Sequence, residues 1–374
     1  MKGIRVLLQV QSGRGSVLGG DLVQCLKTKE YLKRLGIKAD LSFELRPNVG
    51  QYDIVHVFHT DANSYESYIR YRNAKEQEKP VVISPIYWNM DEYAKRGVFG
   101  IKNKLYYLLP DGALRRILSI LYNRNLAEIN HFRSKDALSL DLRRLKAKML
   151  NSCDLILPNS KMEAKLVVRD FGISDVEKIS IVPNAADKFF FYSDPHAFVS
   201  RYHLQDFVLC VGRMEDRKNQ LSLIRALRNT SLKLVLIGKS QRACDLAYYE
   251  KCRKEGGVNV MFISGMEHEA LSSAYAAAKV HVLPSWYETP GLASLEAGLA
   301  GCNIVTTDRG STREYFKQYA LYCDPSDTKS IHKAVVEAFE ASKSSELSQH
   351  ILENYTWEKT ADKTLRAYKK VLEK

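Results

Sequence analysis

The sequence predicts an α/β protein built from two Rossmann-like domains that face each other across a cleft. Three observations predict it. Short apolar runs rich in branched residues alternate with amphipathic helical stretches, the alternation restarts near residue 207, and 374 residues exceed one ordinary core. Buried strands alternating with helices imply a parallel sheet covered on both faces.

The elements follow in order. First-half strands are expected at "IRVLLQV" (4–10), "ADLSFEL" (39–45), "DIVHVFHT" (53–60), "KPVVISPI" (79–86), "CDLILPN" (153–159) and "ISIVPN" (179–184). Second-half strands are expected at "FVLCVG" (207–212), "LKLVLIG" (232–238), "VNVMFISG" (258–265), "VHVLPS" (280–285), "CNIVTTD" (302–308) and "ALYCD" (320–324). The helical stretch "DLVQCLKTKEYLKRLG" (21–36) places Leu22, Leu26, Leu32 and Leu35 on one stripe and stops at Gly36. "NQLSLIRALRN" (219–229), "EALSSAYAAAK" (269–279) and the closing "WEKTADKTLRAYKKVLEK" (357–374) are amphipathic in the same way. The less regular stretch 186–206 joins the halves. Periodicity alone leaves open whether the closing helix caps its own domain or crosses back to the first.

Hydrophobic content is 45% and charged content 26%, as in folded soluble proteins. The formal charge of +13 suggests an anionic partner. The excess is local: residues 95–148 hold 13 Lys/Arg against 4 Asp/Glu. Within this segment, "YAKRGVFGIKNKLYYLLP" (93–110) mixes aromatics with cations, and "ALRRILSILYNRNL" (113–126) sets Leu114, Ile117, Leu118 and Leu121 opposite Arg115, Arg116 and Arg124. Such a pattern over residues 93–148 suits an anionic membrane surface, or an ordinary helix with a solvated basic face. Seven cysteines without a C-x-x-C pair read as reduced thiols. The first residues are too short an apolar run for a signal peptide and no run of about 18 apolar residues follows, so a cytoplasmic location is expected.

The loop "SGRGSVLGGD" (12–21) is glycine-rich but incomplete as a dinucleotide fingerprint. Gly13 and Gly15 fit, Leu18 does not, and Asp21 after Gly20 weakens a Walker loop as well. A phosphate at the helix start and a plain tight turn both remain open.

The second half offers more chemistry. "VGRMEDRKN" (211–219) leaves a strand with Arg213 and Lys218 five residues apart, two cations able to hold a diphosphate or to form a solvated basic turn. In "YETPGLASLEAG" (287–298), Glu288 lies beyond a strand end and Glu296 lies inside the next helix. Backbone N–H groups around Gly291 and Leu292 suit a phosphate or sugar oxygen. A carboxylate in such surroundings needs hydrogen-bond donors, from sugar hydroxyls or from the protein itself.

These motifs resemble the retaining glycosyltransferases of the GT-B fold, family 4, also called group 1. The carrying residues are "PSWYETPGLASLEAGLAGCNIV" (284–305), "GRMEDRK" (212–218), "RGSTRE" with Gly310 and Glu314, "PNAAD" (183–187), Trp357 with Ala361, and "LGGD…LKRLGI" near the start. The resemblance implies an acceptor-binding domain over residues 1–185, with the helix 357–374 packed back on it, and a nucleotide-sugar-binding domain over 186–356. It implies that Arg213 and Lys218 bind the donor diphosphate, that Glu288 meets donor-sugar hydroxyls and that Glu296 holds the ribose. Gly291 and Leu292 would contact phosphate or sugar through the backbone, Gly19 and Gly20 would approach the diphosphate, and Met266 and Glu267 would border the base. Catalysis would rest on Glu288, Arg213 and Lys218. No metal or other cofactor is implied, since the donor is itself a substrate. The implied reaction is sugar transfer with retention to a glycan or lipid-linked acceptor, in cell-surface polysaccharide or lipopolysaccharide biosynthesis.

The sequence also departs from the family pattern. Thr289 and Pro290 replace Gly-Phe, Ala185 replaces Gly, and Ile86 stands where an acceptor-side His is usual. His56, His59, Asp61 and Asp91 remain as acceptor contacts or as structural groups. A sugar-nucleotide epimerase of the same fold and a basic non-catalytic binding protein are the alternatives. Nucleic acid is disfavoured by the lack of a base-reading helix, an RNA-binding motif or a zinc pattern.

Overall fold

Branched apolar runs pair side by side in parallel throughout, because the helices between them carry the chain back across the sheet. The computed structural model describes residues 3–11, 19–59, 66–100, 142–240 and 243–373. The chain divides into two compact units. The first is Met1–Trp88, Leu105–Pro183 and Trp357–Lys374; the second is Asn89–Lys104 and Asn184–Thr356.

The first unit contains β1 (Arg5–Gln9), α1 (Gly20–Arg34), β2 (Lys38–Ser42), β3 (Ile54–Phe58), α2 (Glu66–Glu76), β4 (Val81–Ser84), α3 (Leu142–Ser152), β5 (Leu155–Ile156) and α4 (Lys161–Phe171). Its sheet runs β2-β1-β3-β4-β5. Val6, Leu8, Ile54 and Val82 pack on one face, and Leu7, Val55, Val81 and Ile83 on the other, as the two-residue period of a strand dictates.

Two expectations fail here. Leu22 and Leu32 of α1 are buried, but Leu26 and Leu35 are exposed. The buried face instead runs through Cys25, Thr28 and Tyr31, so polar-looking residues complete it. The run 179–184 is not a sixth strand, because only Ile179 bridges, to Ile156. Ser180 and Val182 still donate to the carbonyls of Ile156 and Pro158 at 2.9 and 3.0 Å, but Pro158 has no N–H to return a bond, so no regular strand forms.

The second unit contains α5 (His196–Tyr202), β6 (Val208–Val211), α6 (Gln220–Leu227), β7 (Leu234–Ile237), α7 (Ala243–Glu255), β8 (Val260–Ile263), α8 (His268–Ala277), β9 (Val280–Leu283), α9 (Leu292–Leu299), β10 (Asn303–Thr307), α10 (Thr312–Phe316), β11 (Ala320–Cys323), α11 (Thr328–Glu340) and α12 (Glu346–Asn354). The order is β11-β10-β9-β6-β7-β8. From β6 the chain moves outward through β7 and β8, then returns to β9 on the other side. Ligands of open parallel sheets bind beyond the strand ends at such a reversal.

Residues 89–100 belong to this second unit, whereas the division at 185 had placed them in the first. Tyr93 and Val98 are buried there, so these aromatic and apolar side chains are not displayed to solvent as a membrane-facing segment would require. Residues 101–141 of the basic segment lie outside the described residues. Among the described residues, no helix is long and apolar enough to cross a membrane.

The closing helix, α13 (Trp357–Leu372), packs on α1. Its fully buried Tyr368 lies 2.7 Å from His56 Nδ1, and His56 Nε2 lies 2.9 Å from Ser84 Oγ. Burial pushes the His56 imidazole down to about 3, so it stays neutral and stitches α13 to β3 and β4. Six described cysteines are free and buried.

Candidate active site

Three loops leave the carboxyl ends of β6, β9 and β10. In the first, Gly212–Asn219, Asn219 takes the left-handed conformation (φ +62°) and starts α6. Its side chain donates to the carbonyls of Pro284 and Pro325 at 3.0 and 2.8 Å, tying this loop to the one after β9. In the second loop, the Glu288 N–H donates to the Arg309 carbonyl at 3.3 Å, and the Glu288 carbonyl accepts from the Ser311 N–H at 2.9 Å. Gly310 lies between these bonds with φ +102°, where a Cβ would collide with the Glu288 carbonyl oxygen. The Glu288 backbone is thus pinned from the loop after β10. The peptide Thr289–Pro290 is cis.

The side chains form one charge cluster. Lys218 Nζ lies 2.6 Å from Glu288 Oε1, and Arg217 Nη1 lies 3.5 Å from the same oxygen. Arg217 and Arg213 also reach Glu215 Oε1, at 2.9 and 3.2 Å. Arg217 sits over the Tyr287 ring, 5.0 Å from its centroid. Glu215 and Glu288 are buried. Burial by itself would raise the Glu288 carboxyl, but Lys218 and Arg217 outweigh it and hold the group below its ordinary value. Burial also draws the Lys218 ammonium down, against the attraction of Glu288. Three cations against two carboxylates leave one positive charge in excess.

Helix α9 opens beside this cluster. Its N-cap is Gly291 (φ +93°), and no side chain caps it. A Cβ built at Gly291 would lie 3.4 Å from Glu288 Oε2, so the carboxylate and the helix start are neighbours. Backbone donors, a positive dipole end and surplus cations therefore converge where an anion would be stabilised.

Glu296 lies further along α9 with its own partners. Tyr275 donates its hydroxyl to Oε2 at 3.1 Å, and His268 Nε2 lies 3.1 Å from Oε1. Met266 packs partly buried against the core, and exposed Glu267 is the N-cap of α8. In the first unit, Gly19 is the N-cap of α1 and Gly20 its first residue. Gly13 and Gly15 lie outside the described residues, as does Asp61.

Sequence reasoning brought Arg213, Lys218 and Glu288 to one cluster but missed Arg217, Glu215, His268 and Tyr275. Signals existed for some of them. The dense sign alternation of "EDRK" at a strand end suggests internal pairing. His268 and Tyr275 are seven residues apart, two turns on one helix face.

Of the acceptor-side candidates, His56 has both ring nitrogens engaged in the core and is structural. His59 has φ +68° and Ile86 φ +48°, in loops after β3 and β4. Asp91 is exposed. The loop at Ile86 is held by Glu163, which sequence reasoning also missed. Glu163 accepts from the N–H groups of Tyr87 and Asn159 at 2.8 and 2.7 Å. Burial pushes its carboxyl up to about 7, with these N–H bonds opposing. The legible signal was Ser160-x-x-Glu163, a helix-start pattern in which Ser160 Oγ accepts the Glu163 N–H at 3.0 Å.

Two parallel sheets, the second with a cation-rich cluster at its order reversal, define a GT-B protein. Solved structures agree. Sucrose-phosphate synthase from Thermosynechococcus elongatus superposes with a TM-score of 0.75 at 17% identity, covering 99% of each chain. Anabaena HepE in complex with UDP and glucose gives 0.63 at 15% identity, covering 99% of this chain and 97% of that one. Residues 196–373, just under half of the chain, match the family model for glycosyl transferases group 1.

Relatives include O-antigen chain mannosyltransferase B of Escherichia coli, 26% identical over 237 residues, 59% of this chain and 61% of the relative. Another is an uncharacterized glycosyltransferase of Methanocaldococcus jannaschii, 28% identical over 183 residues, 45% of this chain and 46% of the relative. A third is the Campylobacter jejuni N-acetylgalactosamine-N,N'-diacetylbacillosaminyl-diphospho-undecaprenol 4-alpha-N-acetylgalactosaminyltransferase, 29% identical over 203 residues, 53% and 51%. The chain spans roughly half to three fifths of the length of these relatives.

Proposed function

We propose that the protein transfers a hexose from a nucleotide-diphosphate sugar to a glycan or lipid-linked acceptor, with retention at the anomeric carbon, in cell-surface polysaccharide or lipopolysaccharide biosynthesis. The observation that carries this is the Lys218–Glu288 pair, in a cluster of three cations and two carboxylates set at the start of α9 and the strand-order reversal.

In this reading Arg213 and Lys218 meet the diphosphate, and Glu288 orients the sugar hydroxyls near Gly291 and Leu292. Glu296 receives the ribose hydroxyls, Met266 and Glu267 border the base, and Gly19 and Gly20 approach the diphosphate. Developing charge on the leaving phosphate is stabilised by fixed cations and the helix start, which need no reorganisation as the bond breaks. The leaving phosphate oxygen takes the acceptor proton on the same face, so no strong protein nucleophile and no metal are invoked. The lipid-linked or O-antigen acceptor draws support from the relatives, an O-antigen chain mannosyltransferase and a diphospho-undecaprenol N-acetylgalactosaminyltransferase. The basic segment 93–148 is read as meeting an anionic membrane from the cytoplasmic side through the part beyond residue 100.

The test is a panel of UDP-, GDP- and ADP-hexoses, scored by thermal stabilisation and by release of nucleoside diphosphate. One member should stabilise the protein and be turned over, and product NMR should show the donor's anomeric configuration. An epimerised sugar still attached to its nucleotide would instead support the epimerase. Co-sedimentation that is unchanged by anionic lipid at low salt would remove the membrane reading.

A further inference from the structure

The segment Met90–Phe99, which includes the described start of the basic stretch, touches all three loops of the candidate site. On the loop after β6, both oxygens of Asp216 are taken. Tyr93 donates its hydroxyl to Oδ1 at 2.6 Å, and the Phe99 N–H donates to Oδ2 at 2.8 Å. Asp216 opens the single helical turn Asp216–Lys218, so a bond to its carboxylate fixes the turn that carries Lys218.

On the loop after β9, Tyr287 donates its hydroxyl to Met90 Sδ at 3.3 Å, and its ring meets Tyr93 edge-on at 6.3 Å. Trp286 lies against Gly97 so closely that a Cβ there would come within 2.6 Å of Trp286 Nε1. These two residues immediately precede Glu288. On the loop after β10, Arg309 donates to both oxygens of Glu92 at 2.9 and 3.1 Å. The Arg309 carbonyl is the acceptor for the Glu288 N–H.

Tyr93 thus reaches the Lys218 turn, and Glu92 reaches the residue that pins Glu288. The segment gives little side-chain burial of its own, since only Tyr93, Ala94 and Val98 are buried. Its polar bonds, however, go to carriers of the two central residues. We propose that Tyr93 and Glu92 are positioning residues of the donor site, holding Lys218 and Glu288 in place for the diphosphate and the sugar. This rests on the transferase reading above. A pair that must sit within a fraction of an ångström of productive geometry is sensitive to loss of such outer bonds.

The test is a double-mutant cycle on the full chain, using whichever nucleotide hexose of the panel the wild-type protein turns over. Tyr93→Phe and Glu92→Gln should each lower kcat/KM about tenfold, with most of the loss in kcat. In a Lys218→Ala background, Tyr93→Phe should change kcat/KM by less than about twofold, because its role acts through Lys218. Glu92→Asp, which keeps the carboxylate, should recover part of the loss seen in Glu92→Gln. An equal loss from Tyr93→Phe in both backgrounds would make it a general structural residue and overturn the proposal, as would wild-type kinetics in both single variants. Where Lys218→Ala turnover is too slow to follow, calorimetric affinity for the released nucleoside diphosphate supplies the same cycle. Failure of the wild-type protein to bind or turn over any panel member would overturn the transferase reading, and this proposal with it. Normal wild-type turnover with indifferent Tyr93 and Glu92 variants would overturn the positioning role alone.

Discussion

The two sheets share an architecture but differ in the titratable groups gathered beside them. In the second, the loops after β6 and β9 bury Glu215 and Glu288 against the half-buried Arg213, Arg217 and Lys218, a surplus of one cation. In the first, two buried titratable groups are matched internally. His56 is neutral between Tyr368 and Ser84, and Glu163 is filled by backbone N–H groups. The first arrangement serves folding, and the second leaves one partly exposed positive charge over, which suits an anion.

The largest effect that sharpens this contrast is expected from Lys218→Ala. Loss of one preorganised charge should lower turnover roughly 100- to 1,000-fold, while the chain stays folded by circular dichroism. Glu288→Ala should behave alike. Near-normal turnover in both would break the contrast at its stronger end.

His56→Ala should do the opposite. It leaves the Tyr368 hydroxyl and Ser84 Oγ without their partner and opens a cavity, a loss of about 3 kcal/mol in urea unfolding. Affinity for a nucleoside diphosphate should hardly change. Tyr368→Phe removes only the hydroxyl and should cost about 1 kcal/mol.

The pH dependence is the smallest effect. His56 has a folded value of about 3 against an ordinary 6.5. Its neutral form contributes stability that is present above pH 6.5 and lost as pH falls from there towards 3. The stability gap between wild type and His56→Ala should therefore narrow on acidification. A constant gap from pH 7 to 4 would mean that His56 is not held neutral.

Much of the fold was legible because strand runs such as "FVLCVG" and "VHVLPS" are short, branched and bounded by turn residues. The α1 stripe was misread because Cys25, Thr28 and Tyr31 complete its buried face, where hydropathy alone favours Leu26 and Leu35. The run 179–184 was misread because Pro158, in the neighbouring segment, lacks the N–H that a regular ladder needs, whatever the apolar content of the run. Of the site, Arg213, Lys218 and Glu288 stood out by their places after strands. The pairing of Glu296 with His268 and Tyr275 depends on α8 lying beside α9, a contact no local pattern encodes. The attachment of residues 89–100 to the second unit is likewise a tertiary fact, set by Tyr93, Glu92 and Gly97 meeting loops 120 or more residues downstream.

The most direct measurement is a calorimetric titration of the wild-type and Lys218→Ala proteins with UDP, GDP and ADP at low and at high salt. The account predicts that the wild-type protein binds at least one of them, more weakly as salt rises, and that Lys218→Ala binds it at least about tenfold more weakly. Equal affinity in the two proteins, or no binding to any of the three, would contradict it.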